Sequence, residues 1–219
     1  MLLVRYERKA AAAYVPHLDV LRAFTRIIRR AGLPIRYSEG YNPHMRLYFA
    51  SPVPVGMKSE CEYCVAESDC GADEFTARFN AVSMPGIRAL AAIPVSADPN
   101  VAFIGDACEY EMTLAGAEKF KTDILSIVGK PVIITYTAKG RDVTEDVTDR
   151  IINLKMTGDT VTAILSAGLK NLRADRFAAH IIKTVTGECA VDILRKNLYN
   201  NGRDGLTLID EYVKSRFPG

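Results

Sequence analysis

The sequence predicts an α+β fold in which helices cover one face of antiparallel sheets. Two observations lead to this prediction. The first hundred residues read as strand, helix, strand, strand, helix, strand, and the same order recurs from residue 107 onward. Between the two series, "SADPN" at 96–100 combines proline with turn formers, as is typical of a boundary. We therefore predict two tandem ferredoxin-like (split βαβ) units, at 1–96 and 107–199, followed by a tail at 200–219.

The elements of the first unit follow from hydrophobic periodicity, which is 2 for strands and 3.6 for helices. The predicted strands are 2–8, 45–50, 60–67 and 87–95, and the predicted helices are 17–31 and 73–83. Helix 17–31 should end before Gly32, because glycine suits the position after a helix and Pro34 prevents its continuation.

The second unit is predicted in the same way. Its expected strands are 107–114, 131–136, 147–156, 160–166 and 189–197, and its expected helices are 116–128 and 173–186. The turn in "MTGDTV" at 156–161 indicates a hairpin. The charged segment 138–147 is an excursion that an ideal unit would not contain. The tail ends in a short amphipathic piece that either docks or frays.

The composition is typical of a globular protein without a membrane span. Hydrophobic residues make up 48% and charged residues 25% of 219, and no run reaches the roughly 18 apolar residues of a membrane span. The charged N-terminus does not resemble a signal peptide, and five irregularly spaced cysteines are typical of thiols in a reducing compartment. We therefore expect a cytoplasmic protein that does not associate with membranes.

Positive charge is concentrated at one end of the sequence. Residues 1–50 contain nine Lys or Arg against three Asp or Glu, net +6, whereas residues 51–100 contain three against seven, net −4. This asymmetry is the pattern of a surface for phosphates or other anions, with an ordinary solvated helix face as the alternative.

Helix 17–31 divides into two faces on a helical wheel. The apolar face is Val20, Leu21, Phe24, Ile27, Ile28 and Ala31. The opposite face is Arg22, Arg26, Arg29 and Arg30. Like charges one turn apart repel by a few tenths of a kcal/mol per pair, so we expect an anion to compensate them. The alternative is compensation by acidic side chains from 60–74.

The loop after this helix supplies further candidate ligands. Its hydrogen-bond donors and aromatic rings suit phosphates and bases. The candidates are Arg36, Tyr37, Ser38, Tyr41, Asn42, His44 and Arg46. Pro43 should fix the turn, since it restricts Asn42.

Residues 17–63 also resemble a known family. The motifs are His-Leu-Asp at 17–19, Arg-Arg-Ala-Gly-Leu-Pro at 29–34, Tyr-Ser-Glu-Gly-Tyr-Asn-Pro-His at 37–44, and Pro-Val-Gly with Ser-Glu and Glu-Tyr at 54–63. This stretch resembles the bacterial radical-SAM-linked family of domains of unknown function, although Met45 stands where a second proline is expected. The resemblance implies a radical SAM protein as partner and brings no settled catalytic residues.

A weaker, architectural resemblance is to the CRISPR repeat-processing endoribonucleases, which also use tandem ferredoxin-like units. It implies a general acid or base histidine, for which His17 and His44 are the candidates. A structural, hydrogen-bonding role is the alternative for each. No P-loop, dinucleotide-binding glycine pattern or Gly-x-Ser-x-Gly elbow is present.

"CEYCVAESDC" invites a metal hypothesis for Cys61, Cys64 and Cys70. Strand alternation sends Cys61 and Cys64 to opposite faces, and no second Cys-x-x-Cys pair follows, so we predict neither a metal site nor a cofactor. Any redox role is left open. Helix 173–186 repeats the basic pattern with Arg173, Arg176, His180 and Lys183 on one side and Lys170 just ahead. The two basic helices either border a shared cleft or are independent solvated faces.

The sequence thus predicts an RNA-binding or substrate-presenting partner of a radical SAM enzyme, in RNA modification or processing, without catalytic activity of its own. The alternatives are a metal-independent endoribonuclease of the tandem ferredoxin-like type and a pure protein-interaction module for the radical SAM protein.

Overall fold

The chain divides into two compact units in the computed structural model, which describes residues 1–187, 189–202 and 205–219. Unit 1 comprises Met1–Ile104 together with Gly202–Gly219, and unit 2 comprises Gly105–Asn201. The C-terminal segment is therefore grouped by its contacts with the N-terminal part of the chain.

Unit 1 begins with four strands and two helices. They are β1 (Leu2–Arg8), α1 (His17–Ala31), β2 (Leu47–Phe49), β3 (Lys58–Ala66), α2 (Ala72–Ala81) and β4 (Ile87–Pro94). Strand β1 pairs antiparallel with both β3 and β4, and β2 pairs antiparallel with β3. The strand order is therefore β4-β1-β3-β2, and each element lies within a few residues of its predicted position.

The core of unit 1 lies between this sheet and its two helices. Alternation along β1 turns Leu2, Val4 and Tyr6 to the helix side, where they are buried. Phe24, 1% exposed, is at the centre of an aromatic cluster. Its ring centroid lies 4.6 Å from Tyr6, 5.2 Å from Phe49 and 5.0 Å from Phe79. Helix α1 ends as predicted, with Gly32 left-handed at φ 61°.

Within its described residues, unit 2 contains six strands and two helices. They are β5 (Ala107–Leu114), α3 (Lys121–Leu125), β6 (Ile133–Ala138), β7 (Arg141–Asp146), β8 (Ile151–Thr157), β9 (Thr160–Ser166), α4 (Ala174–Ile181) and β10 (Val191–Gly202). A π-helical turn, Ile182–Thr186, continues α4. The antiparallel order is β10-β5-β9-β8, and β6 and β7 form a separate hairpin.

The structure describes the charged excursion of unit 2 and corrects one of its predicted helices. The charged excursion 138–147 is largely strand β7, whose polar side chains alternate with half-buried ones on an exposed hairpin. The helix expected over 116–128 is shortened to α3, because Gly116 has a non-helical φ of +73° and residues Glu118–Phe120 form a 3₁₀ turn. The Asp159 carboxylate accepts the backbone N–H groups of Gly116 and Glu118 in this segment, each at 3.0 Å. These two hydrogen bonds lower the pKa of Asp159.

The chain returns to unit 1 through β11 (Gly205–Leu208) and α5 (Ile209–Arg216). Ile209 and Val213 are buried, and Asp210 accepts hydrogen bonds from Tyr63 at 2.8 Å and Arg5 at 3.3 Å. Burial raises the pKa of Tyr63, with the Asp210 carboxylate adding to the shift. The tail therefore docks instead of fraying.

An α+β fold with mostly antiparallel pairing and few helices is thus confirmed; a tandem ferredoxin-like duplication stays a prediction. Within the described ranges, no helix is long and apolar enough to cross a membrane.

Candidate anion-binding surface

A buried arginine fixes the point from which α1 starts. Arg8 is 1% exposed, and its guanidinium donates hydrogen bonds to the carbonyls of Ala12 at 3.0 Å, Ala13 at 2.8 Å and Val15 at 2.8 Å. These carbonyls belong to a 3₁₀ turn, Ala10–Tyr14, and the residue after it. The guanidinium therefore fixes the backbone that leads into α1.

The arginine face of α1 is exposed along its length, as the wheel predicts. Arg22 is paired with Asp19 of the same helix at 2.8 Å, and Arg30 donates to the carbonyl of Val82 at 2.9 Å. The guanidinium groups of Arg26 and Arg29 make no hydrogen bond or ion pair with any residue that the structure describes. Acidic side chains from 60–74 therefore do not compensate this face within the described ranges.

An open groove of about 460 Å³ runs beside these arginines. Its lining is Ala23, Arg26, Ile27, Arg29, Arg30 and Met84. Ala23, Ile27 and Arg30 recur at helical spacing and so form one stripe of α1. Met84 comes from the segment after α2, where Arg30 also contacts Val82. Three of the candidate arginines therefore share one concave site.

The loop arginines have partners inside the protein. Arg36 pairs with Asp69 at 2.8 Å, and Arg46 pairs with Glu67 at 3.1 Å. Tyr48 donates to the same Glu67 carboxylate at 3.2 Å. The acids of 60–74, considered above as partners for the α1 face, thus pair with these two loop arginines instead, and the signal was the pair of acids directly after β3.

The tip of the loop is held by Ser38 and His44. The backbone N–H of Ser38 donates to the His44 carbonyl at 2.9 Å, and that of His44 donates to the Ser38 hydroxyl oxygen at 3.0 Å. The Ser38 Oγ also lies 2.8 Å from His44 Nδ1. Because Oγ already accepts one proton, its own proton can go to Nδ1, which leaves Nε2 of a neutral imidazole as the outward N–H donor. Tyr37, Tyr41 and Asn42 are exposed around this tip.

Apart from Arg22, Arg36 and Arg46, which are paired within the protein, the predicted site residues fall into two groups. One is the groove with Arg26, Arg29 and Arg30; the other is the loop tip with Ser38 and His44. Within the described part of the chain, no hydrogen bond or ion pair joins the α1 arginines to the loop residues. Met84 and Ala23 were missed by the sequence reasoning, since an apolar residue in a turn and an alanine on a helix give no functional signal by themselves.

His17 lies at the edge of the aromatic core. It is half-buried, with its ring centroid 6.1 Å from that of Phe49 in an edge-on arrangement. Burial lowers the pKa of His17; the nearby Glu62 carboxylate opposes this shift and the Arg8 guanidinium adds to it. This setting favours the neutral imidazole and a packing role.

The cysteines of β3 and the following turn are buried. Cys64 packs in the core beneath the helices, and burial raises the pKa of its thiol. Cys61 lies an odd number of strand positions away, so the two side chains leave opposite faces. No disulfide involves Cys61, Cys64 or Cys70. Among the residues that the structure describes, no three His, Cys, Asp or Glu side chains are placed to hold a metal ion.

Three basic residues in and before α4 have partners within unit 2. Arg173 pairs with Asp175 at 2.6 Å, and the Arg176 guanidinium lies 3.3 Å above the ring centroid of Tyr136. Lys170 lies 3.5 Å from Asp149. Burial lowers the pKa of His180, and Lys183 adds to this shift. The second basic helix therefore offers fewer available cations than α1.

Comparison with known proteins identifies the family of the chain. Residues 1–177 match the model of the family described as "uncharacterized protein conserved in bacteria (DUF2344)". The chain belongs to this family. The match covers β1, α1, the loop and the groove, and the family description names neither a reaction nor a partner. No curated protein matches the chain. A bacterial family of unknown function is thus confirmed, whereas the link to radical SAM proteins stays a prediction.

Proposed function

We propose that this protein binds RNA through the arginine face of α1 and acts as the RNA-binding or substrate-presenting partner of a radical SAM enzyme. The observation that carries the proposal is the pair Arg26 and Arg29, which are exposed and have no counter-charge among the described residues. Guanidinium groups present planar pairs of donors that match phosphate oxygens. The partner rests on the resemblance of residues 17–63 to the radical-SAM-linked family.

RNA is favoured over a small anion because donors and rings extend beyond the helix. The loop tip presents the Tyr37 and Tyr41 rings, 44% and 104% exposed, together with Asn42 and the His44 imidazole. Exposed aromatic faces stack on unpaired bases, and amide and imidazole groups bind phosphate or sugar oxygens. We propose a role in RNA modification or processing in the cytoplasm, without catalysis by the chain itself.

We also propose that the two units are ferredoxin-like repeats. Support comes from the strand orders: β4-β1-β3-β2 in unit 1 and β10-β5-β9-β8 in unit 2. If the β6–β7 hairpin is treated as an insertion and the C-terminal β11 is set aside, each unit has four strands. Their spatial order across the sheet, numbered along the chain, is fourth, first, third, second in both units.

The proposal is tested by RNA affinity in matched double variants. Arg26→Ala/Arg29→Ala removes the two arginines of α1 that have no described partner. Arg88→Ala/Arg216→Ala is the control and removes two exposed arginines elsewhere in unit 1. It lowers the formal net charge of +2 by as much as the first variant does. Fluorescence anisotropy with total cellular RNA fragments should show an affinity loss of about tenfold for the first variant and about twofold or less for the second. Equal losses would contradict the proposal.

Salt dependence gives a second readout from the same proteins. Each lost phosphate contact lowers the slope of log K against log salt by about 0.7–0.9, so two contacts lower it by about 1.4–1.8. Between about 50 and 200 mM salt, the wild type should therefore lose about sevenfold to twelvefold more affinity than Arg26→Ala/Arg29→Ala. Parallel salt slopes would show that these arginines do not contact phosphates.

The partner is tested separately. Affinity-tagged protein expressed in its bacterial host should co-purify with a radical SAM protein and with RNA. A pure protein-interaction module, in which the arginines meet an acidic patch on the enzyme, would co-purify with the enzyme while the purified chain has no RNA affinity. Absence of any radical SAM protein from the eluate would reject the partner and leave RNA binding to be judged by anisotropy.

A second candidate function is a metal-independent endoribonuclease, favoured by the Ser38–His44 hydrogen bonds. A serine that orients an exposed imidazole provides a group for proton transfer to or from a ribose hydroxyl. Incubation of the protein with structured RNA in EDTA distinguishes the candidates. Cleavage that is lost in His44→Ala and retained in Arg88→Ala would establish the nuclease, whereas intact RNA bound by the wild type would support binding alone.

A further inference from the structure

We propose that the groove beside α1 accepts one unpaired nucleotide of an RNA strand, with the phosphate on Arg26 and Arg29 and the base against Ala23 and Met84. The inference rests on the proposed RNA binding and adds the class of RNA that the site recognises. The groove is the one lined by Ala23, Arg26, Ile27, Arg29, Arg30 and Met84.

The groove has an apolar floor and a cationic rim. Ala23 of α1 and Met84 of the segment after α2 are half-buried and form the floor, whereas Ile27 is 1% exposed and belongs to the core beneath it. Arg26 and Arg29 lie on the solvent side of the same helix and have no partner within the described ranges. Apolar contact beside unpaired guanidinium groups suits a ligand that is flat and apolar at one end and anionic at the other.

The third arginine holds the two walls together. The Arg30 guanidinium donates to the carbonyl of Val82 at 2.9 Å and so ties α1 to the segment that carries Met84. That segment is itself fixed, because Ser83 Oγ donates to the Ile87 carbonyl at 2.6 Å and the Ile87 N–H donates to the Met84 carbonyl at 3.1 Å. The groove is therefore preformed, which lowers the ordering cost of binding.

The dimensions and chemistry favour a single nucleotide over a duplex. A volume of about 460 Å³ falls in the range of sites that hold one small ligand. In a duplex the base faces are stacked inside, so only phosphates would reach the rim and the floor would stay uncovered. In a single strand a base can turn outward, stack on a guanidinium plane and contact the polarisable Met84 sulfur.

The test compares single-stranded and double-stranded RNA of one length and composition by fluorescence anisotropy. Met84→Ser removes the floor contact, and Ala23→Leu partly fills the groove from the other wall. Leu90→Ser is the matched control, since Leu90 is an exposed apolar residue of unit 1 on β4. Met84→Ser should lower single-strand affinity by about threefold to tenfold, the range expected for a sulfur–aromatic contact. Ala23→Leu should lower it by about the same factor, because the larger side chain fills the groove. Both variants should leave duplex affinity unchanged.

The outcomes separate this inference from the proposed function. A loss confined to single-stranded RNA in both groove variants supports the inference. Equal affinities of all variants, or equal losses on both RNAs, overturn the inference while RNA binding through Arg26 and Arg29 stands. A wild-type chain with no affinity for either RNA overturns both.

Discussion

The buried Arg8 provides a direct test of how the fold positions α1. Replacing it with methionine keeps most of the aliphatic volume and removes the guanidinium with its three hydrogen bonds to carbonyls. The Ala12 carbonyl keeps the N–H of Val15 at 3.2 Å, and the Ala13 carbonyl keeps that of Gly56 at 2.8 Å. The Val15 carbonyl keeps no partner among the described residues.

The magnitude follows from these contacts. The half-buried Val15 carbonyl loses its only donor at a cost of about 1–2 kcal/mol, the lower part of the range for a buried group, and each of the other two charge-assisted bonds contributes about 1 kcal/mol or slightly more. Arg8→Met should therefore lower the free energy of unfolding by about 3–5 kcal/mol, a large share of the total stability of a typical domain.

Urea denaturation, followed by circular dichroism, measures this change. Arg88→Met is the control, because Arg88 is exposed on β4, and its free energy of unfolding should stay within about 0.5 kcal/mol of the wild type. An Arg8→Met protein as stable as the wild type would refute the reasoning, since it would mean that solvation of the guanidinium in the unfolded chain offsets all three hydrogen bonds.

Three further predictions concern stability. Phe24→Ala should cost about 3–5 kcal/mol in urea denaturation because it empties the aromatic core, whereas Leu18→Ala, at a side chain 65% exposed, should cost less than about 1 kcal/mol; similar costs would contradict the packing. Gly86→Ala should lower the melting temperature markedly, because φ is +84° and a Cβ would lie 2.2 Å from the Lys9 carbonyl oxygen, whereas Gly71→Ala has open space and should cost no more than about 1 kcal/mol, since only the helix-start preference of Gly71 before α2 is lost. Because burial lowers the pKa of His17, the unfolded chain takes up its proton first as pH falls below about 6.5, so the wild type should lose more stability between about pH 7.5 and 5.5 than His17→Gln; parallel pH profiles would exclude this contribution.

The elements of unit 1 were predictable because their signals are local. Leu2, Val4 and Tyr6 occupy every second position of β1. The arginine and apolar faces of α1 follow from the helical period of 3.6 residues. Gly32 marks the end of α1 by its left-handed conformation. Where local and tertiary preferences agree in this way, a pattern is enough to predict the element.

The failures have tertiary causes. Residues 116–128 have helical composition, but Asp159, 41 or more residues away in sequence, accepts backbone N–H groups at their start. The partners of Arg36 and Arg46 come from the segment after β3, so their ion pairs depend on how the loop folds back. The groove depends on Met84, which follows α2 and lies beside α1 because of the packing of α2. Contacts between distant segments leave no periodicity in the sequence.

Arginine Nε–H resonances in ¹H–¹⁵N spectra show whether RNA binds the arginine face of α1, because they report on each guanidinium separately. During titration with single-stranded RNA, the Arg26 and Arg29 signals should shift in a saturable way, while those of Arg88 and Arg216 stay in place. Saturable shifts at Arg88 or Arg216 with unchanged signals at Arg26 and Arg29 would contradict RNA binding by this face.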